Sequence, residues 1–138
     1  MPTPTIAVAA DADVVHAGMA LLRDELHVVI EHPPPVLEAA EEAARSAAWR
    51  ADGRPDRTNV ELVTIDPPGS RDLDQAYGAE RRASGYRVWY AIADVAAFVG
   101  PGRAIDVECH RRGVTLYGPD GRVSLHPPVL AEGAASLL

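Results

Sequence analysis

The sequence predicts a mixed α+β fold, in which a helical N-terminal segment precedes a small mixed β-sheet with flanking helices. In the first 59 residues, apolar side chains recur at helical spacing, whereas β-branched and aromatic residues typical of strands begin at Val60. Residues 51–59 are rich in Asp, Gly, Pro and Arg, which indicates a linker. We therefore predict an accessory helical segment with its linker over residues 1–59 and a second unit over residues 60–138.

Two helices are predicted in the N-terminal segment. The first covers residues 17–26, where apolar residues are spaced three and four apart. Three prolines, residues 33–35, then interrupt the pattern. The second helix covers residues 36–49, because proline suits the first turn of a helix and the glutamates that follow favour its positive N-terminal end.

Three strands are predicted after the linker, over residues 60–65, 74–80 and 86–92. The last two are expected to form a hairpin that turns at residues 82–85. Apolar and polar residues alternate imperfectly in the third strand, which is typical of a strand covered on both faces. We therefore expect Trp89 in the core.

The C-terminal part is predicted to contain one further helix, over residues 104–112, with Gly113 at its C-cap. A brief strand over residues 114–117 and a turn over residues 118–121 follow. Cys109, the single cysteine, is expected to be a small buried side chain on that helix.

Charge is unevenly distributed along the chain. The net charge is −7, and all 13 basic residues are arginines. Residues 1–80 carry −9 and residues 81–122 carry +3, so the second part suits contact with phosphates. A single cysteine excludes an internal disulfide and fits a reducing compartment, and no apolar run reaches transmembrane length. We therefore predict a cytoplasmic protein without a membrane partner.

Three carboxylates are concentrated in residues 64–75, where a β-branched run stops at Pro-Pro-Gly and enters a tight loop. Asp72 and Asp74 are two residues apart, so an extended backbone points both to one face, and a loop that folds back brings Asp66 to them. Carboxylates held together repel one another unless a cation lies among them. Oxygen ligands of this kind suit Mg²⁺ or Mn²⁺. From the residues alone, a solvated acidic turn is the alternative.

Several blocks follow in a specific order. They are Ile-Asp-Pro at 65–67, Arg-Asp-Leu-Asp at 71–74, Ala-Ile-Ala-Asp-Val at 91–95, Ala-Ile-Asp at 104–106, Arg-Arg-Gly at 111–113 and Leu-Tyr-Gly-Pro-Asp at 116–120. This order resembles the start of the catalytic domain of the RNase II/RNase R exoribonucleases, the RNB family. The resemblance covers about residues 60–138. It implies the N-terminal part of that catalytic domain.

The resemblance also implies a function, the 3′-to-5′ hydrolysis of single-stranded RNA to nucleoside 5′-monophosphates; no DNA substrate is expected. Asp66, Asp72 and Asp74 would hold two ions of Mg²⁺ or Mn²⁺, which activate a water and stabilise the leaving oxygen. Tyr117 matches a family tyrosine that stacks on a nucleotide near the 3′ end. Arg111 and Arg112 either clamp a phosphate or, in the last turn of their helix, favour its dipole.

The chain departs from the family pattern at two positions. Gln75 replaces a fourth carboxylate, and Ala91 replaces a histidine. Asp94 nearby is expected to be a structural hydrogen-bond acceptor or a second layer behind the site. Family catalytic domains also continue for a few hundred residues more. Two hypotheses therefore remain: an exoribonuclease, as a fragment or short relative, and a catalytically inactive RNB-like module that binds RNA or another partner.

Overall fold

The computed structural model describes residues 11–46, 53–71 and 73–137 of the chain. The helices are α1 (Ala12–Glu25), α2 (Pro34–Ser46) and α3 (Ala104–Arg112). The strands are β1 (Gln75–Arg82), β2 (Gly85–Ile92), β3 (Leu116–Gly118) and β4 (Gly121–Val123). A 3-10 turn, Val95–Phe98, precedes α3, and a π-helical turn, Leu130–Ala134, follows β4. This is the mixed α+β architecture that the sequence predicts, with two antiparallel hairpins, β1–β2 and β3–β4, as its sheets.

Both N-terminal helices begin earlier than predicted. α1 begins after Asp11, whose carboxylate accepts a hydrogen bond from the Asp13 N–H at 3.1 Å and so caps the first turn. α2 begins at Pro34, because a proline in the first turn has no N–H that would need a partner. Residues 47–49, the predicted end of the second helix, lie outside the described residues.

The hydrophobic core joins the two parts of the chain. Val36 and Ala40 of α2 pack with Ile105 of α3 and with Leu130 of the π-helical turn, and all four are buried. Phe98 and other half-buried apolar residues surround them. The domain boundary after residue 59 stays a prediction, but α2 and α3 share one core and so stabilise each other.

The β1–β2 hairpin confirms the predicted pairing of the second and third strands. Eight residue pairs connect it, from Gln75 opposite Ile92 to Arg82 opposite Gly85. The prediction that β2 is covered on both faces is wrong. Tyr86, Val88, Tyr90 and Ile92 share one face and are 53% to 69% exposed, and Trp89 on the other face is only half-buried. A two-stranded hairpin has no third layer to cover that face.

The predicted strand over residues 60–65 is also absent. Only Val63 pairs with β1, through two hydrogen bonds of 2.8 Å with the backbone of Tyr77. The Glu61 carbonyl oxygen lies 2.6 Å from where a Cβ on Gly78 would be. The segment therefore crosses the face of β1 at a glycine instead of following its edge.

The C-terminal elements agree closely with the prediction. α3 has the predicted bounds, and Gly113 ends it with a φ of 79°, a conformation that favours glycine. Strand β3 begins two residues later than predicted and includes Gly118, which pairs with Gly121 across the turn. Cys109 lies half-buried on α3, and this burial raises the pKa of its thiol.

Candidate functional site

The acidic segment runs from Val63, which pairs with Tyr77 of β1, to Gln75, the first residue of β1. Asp66 is exposed and precedes a turn closed by a 3.1 Å bond from the Ser70 N–H to the Pro67 carbonyl. Asp74 is exposed and directly precedes β1. Asp72 lies outside the described residues. In the part of the chain that the structure describes, no three His, Cys, Asp or Glu side chains are grouped closely enough to hold a metal ion. The metal cluster therefore stays a prediction.

The backbone next to Asp74 is held from two directions. The Ala93 N–H, just after β2, donates to the Asp74 carbonyl at 2.8 Å. The Leu137 N–H donates to the Leu73 carbonyl at 2.7 Å, and the Ser136 hydroxyl donates to the same oxygen at 3.3 Å. The end of β2 and the C-terminal residues thus fix the path of the chain where the predicted metal ligands lie.

A carboxylate outside the motif, Glu132, supports the same segment. It lies on the π-helical turn and forms ion pairs with Arg71, at 3.1 Å, and with Arg122 of β4, at 2.5 Å. The two arginines neutralise a mostly buried carboxylate and connect the acidic loop with the β3–β4 hairpin. Sequence reasoning missed Glu132, because 61 residues separate it from Arg71.

Gln75, which the sequence resemblance places at the position of a fourth carboxylate, accepts hydrogen bonds from two tyrosines. Its side-chain Oε1 accepts hydrogen bonds from the hydroxyls of Tyr77, at 3.0 Å, and Tyr90, at 2.8 Å. The two rings are stacked with their centroids 4.8 Å apart and their planes 8° from parallel. The hydrogen bond with the neighbouring Tyr77 raises the pKa of Tyr90 above its ordinary value. The amide oxygen is therefore occupied within the hairpin.

Replacing Gln75 with aspartate is expected to strengthen the binding of Mn²⁺, by roughly tenfold in Kd (about 1.4 kcal/mol). The shorter side chain gives up the hydrogen bonds with the Tyr77 and Tyr90 hydroxyls, and its charge adds to that of Asp74. Calorimetric titration with Mn²⁺ measures the change. Gln75→Asn is the matched control, since it has the length of aspartate without the charge. Equal Kd values for the two variants would place residue 75 away from the ions.

The Arg112 side chain is buried and forms hydrogen bonds with other parts of the protein. Its guanidinium is 6% exposed and donates to Glu108 at 2.8 Å and to the carbonyl oxygens of Glu31, at 2.7 Å, and Ser124, at 3.3 Å. These bonds connect α3 with the segment before α2 and with the residue directly after β4. The side chain is thus surrounded by protein acceptors.

Arg111 differs from its neighbour in exposure. Its guanidinium donates two hydrogen bonds to Glu108, of 2.8 and 2.6 Å, but remains half-exposed. The hydrogen bonds from Arg111, supported by Arg112, lower the pKa of the buried Glu108 to about 2. Of the two arginines in the last turn of α3, only Arg111 offers an accessible face to a ligand.

Two other residues singled out in the sequence, Asp94 and Tyr117, differ in their surroundings. Asp94 forms an ion pair with Arg54 at 2.7 Å, which agrees with a structural acceptor. Tyr117 on β3 is 75% exposed and borders a cavity of about 170 Å³ between α1 and the β3–β4 hairpin. An exposed aromatic ring beside an apolar cavity is suited to stacking.

Among the described residues, no helix is both long and apolar enough to span a bilayer.

Comparison with known proteins gives consistent matches. Residues 54–138 match the RNB domain. Ribonuclease R of Escherichia coli is 42% identical over 86 residues, which cover 62% of this chain and 11% of that protein. The chloroplastic and mitochondrial ribonuclease II of Arabidopsis thaliana is 33% identical over 125 residues, covering 89% of this chain and 15% of that protein.

Solved structures show the same likeness. The structure of Mycoplasma genitalium RNase R with ribose-methylated single-stranded RNA matches at a TM-score of 0.80 and 26% identity, over 91% of this chain and 20% of that one. A structure of the same enzyme with double-stranded RNA matches equally well. The chain thus spans between about a tenth and a fifth of the length of the proteins it is similar to.

Proposed function

Because this chain belongs to the RNB family, we propose that it is the N-terminal part, or a short relative, of a 3′-to-5′ exoribonuclease that hydrolyses single-stranded RNA to nucleoside 5′-monophosphates. The observation that carries the proposal is the match of residues 54–138 to the RNB domain, since these residues include the whole Asp66, Asp72, Asp74 motif. A cytoplasmic location is proposed with it and fits the single free cysteine.

The three aspartates are proposed to bind Mg²⁺ or Mn²⁺. Asp66 and Asp74 are exposed carboxylates, and within the described ranges neither is paired with an arginine or histidine, which leaves their oxygens available for a hard cation. When bound, such ions supply an activated water and stabilise the leaving oxygen. The chain itself contributes the fixed backbone at Leu73 and Asp74 that presents these oxygens.

RNA is proposed to contact Tyr117 and Arg111. Tyr117 offers a ring on which a base can stack whatever its sequence. Arg111 offers its exposed face to a phosphate while Glu108 orients the guanidinium. For Arg112 we propose a structural role, because backbone carbonyls and Glu108 already use its donors.

A second candidate function is a catalytically inactive RNB-like module that binds RNA. The observation that favours it is Gln75, whose oxygen accepts from Tyr77 and Tyr90 and which brings no charge to the ions. The two candidates differ in whether Asp66, Asp72 and Asp74 bind the metal ions without a fourth carboxylate at residue 75.

Calorimetric titration with Mn²⁺ is the direct test of the metal site. The wild-type chain is expected to bind Mn²⁺ weakly, and Asp66→Asn and Asp74→Asn are expected to lose most of the heat, because each removes one anionic oxygen ligand. Asp24→Asn is the matched control, since Asp24 is an exposed aspartate on α1. Equal heats from all four proteins would contradict the metal site and leave the inactive module.

A further inference from the structure

A buried ion pair joins the N-terminal helix to the hairpin that carries Tyr117. Asp120 lies in the turn between β3 and β4, and its carboxylate is only 6% exposed. The guanidinium of Arg23, on α1, donates to both oxygens, at 2.7 and 2.5 Å. His16, about two turns earlier on the same face of α1, lies 3.6 Å from the same carboxylate. Because the guanidinium bonds to both carboxylate oxygens, the ion pair fixes the orientation of the β3–β4 turn relative to α1 as well as its distance from α1.

Packing around the ion pair is equally close. A Cβ on Gly118 would lie 3.0 Å from the Met19 methyl and 3.0 Å from the Asp120 carboxylate, so a larger residue there would displace these side chains by a few tenths of an ångström. Leu22 and Leu116 line the cavity between the two elements. The hydrogen bonds from Arg23 also hold the pKa of Asp120 below its ordinary value, so the carboxylate stays charged.

The hairpin depends on such support because it is very short. β3 and β4 have three residues each and, among the strands that the structure describes, pair only with each other. An isolated two-stranded hairpin is marginal in water. Its orientation is therefore set by what it is attached to, and the ion pair connects its turn to α1 across 97 residues of sequence.

We propose that Arg23 is a positioning residue for RNA: its pair with Asp120 holds the β3–β4 hairpin so that Tyr117 is presented for stacking, which makes α1 part of the RNA-binding site. The assignment rests on the proposed role of Tyr117 in RNA binding. α1 precedes the residues that match the RNB domain, so this role comes from outside the matched region. We assign Arg23 an action through the hairpin, since each of its terminal nitrogens donates to Asp120 and its side chain is only 18% exposed.

Hydrogen exchange measured without RNA tests the positioning step. Arg23→Met and Asp120→Asn are expected to speed exchange of the β3–β4 amides by at least about tenfold, while the amides of α2 and α3 exchange as in wild type. Arg45→Met is the matched control, because Arg45 is also paired with a carboxylate, Glu41, but on the exposed surface of α2. Unchanged exchange in the hairpin would overturn the proposal.

Affinity for a fluorescein-labelled uridine decamer, in EDTA to prevent hydrolysis, tests the RNA step. Tyr117→Ala is expected to weaken binding by about 5- to 150-fold, the range for one stacked base. Arg23→Met is expected to weaken it by a similar factor, and the double variant no further, because both changes remove the same contact. The charge-swapped pair Arg23→Asp with Asp120→Arg is expected to restore part of the affinity.

The outcomes distinguish the positioning role of Arg23 from the RNA-binding role of Tyr117. If Arg23→Met and Tyr117→Ala weaken binding additively, or if Arg23→Met matches the Arg45→Met control, the positioning role is overturned while the RNA role of Tyr117 stands. If Tyr117→Ala binds the decamer as well as wild type does, the proposed stacking itself fails, and the positioning of Tyr117 for RNA fails with it. Circular dichroism of each variant verifies that the helices remain folded.

Discussion

Incubation of this 138-residue chain with Mg²⁺ and end-labelled single-stranded RNA is expected to give no ladder of shortened products. Orientation of the reacting groups supplies on the order of 7–11 kcal/mol in reactions of this kind. The chain spans 11% of the E. coli ribonuclease R that it resembles and contributes few groups that hold the strand. One base stacked on Tyr117 contributes about 1–3 kcal/mol, too little to keep RNA bound through successive cuts. The net charge of −7 adds repulsion at low salt.

The control for this experiment is Asp74→Asn, which removes one proposed metal ligand without changing the size of the side chain. Any trace of nuclease that survives in this variant comes from a contaminant. A ladder of nucleoside monophosphates from the wild type that disappears with Asp74→Asn would contradict the expectation. It would show that these residues alone position the RNA.

Glu108→Gln is expected to lower the free energy of unfolding by about 3 kcal/mol at pH 7. Breaking a buried ion pair costs roughly 3–5 kcal/mol, and we expect the lower end because Arg111 is half-exposed. Arg112 is affected most, since it is buried and loses its only carboxylate partner among the described residues. Urea unfolding followed by circular dichroism measures the change. Glu41→Gln is the matched control and is expected to change stability by about 0.5 kcal/mol or less, because its pair with Arg45 is exposed.

The pH dependence of stability identifies the same group. Glu108 has a pKa of about 2 in the folded chain, lowered from 4.5 chiefly by Arg111. Its ionised form therefore contributes stability above pH 4.5, and this contribution is lost as the pH falls from 4.5 towards 2. Burial also lowers the pKa values of His32 and His126, so wild type and variant both lose stability below pH 6.5. The difference between wild type and Glu108→Gln should shrink only below pH 4.5; a constant difference down to pH 2 would contradict the assignment.

Elements whose signals are local could be predicted from the sequence. The bounds of α3 follow from Gly113, whose positive φ ends the helix, and the β1–β2 hairpin follows from two β-rich runs around a short turn. The strand predicted over residues 60–65 does not form, because a β-branched run does not reveal how far a segment follows its neighbour, and only Val63 pairs with β1. Here the backbone of Glu61 crosses Gly78 instead.

The candidate site was predictable to a similar extent. The aspartate motif and Gln75 lie within ten residues of one another, so the sequence alone identifies them, and Asp66 and Asp74 are both exposed. The partners of Gln75 were not found, because Tyr77 and Tyr90 meet only through the cross-strand register. The ion pair of Arg23 with Asp120 joins residues that no local pattern relates.

The bond between Ser136 and the Leu73 carbonyl has a consequence for the timing of folding during synthesis. The two residues are 63 positions apart, so a ribosome adding about 5–20 residues per second makes Leu73 roughly 3–13 seconds before Ser136. For those seconds the nascent acidic segment lacks both the Ser136 and the Leu137 hydrogen bonds that later hold its backbone. The presentation of Asp74 is therefore completed late, when the last residues described in the structure have left the ribosome.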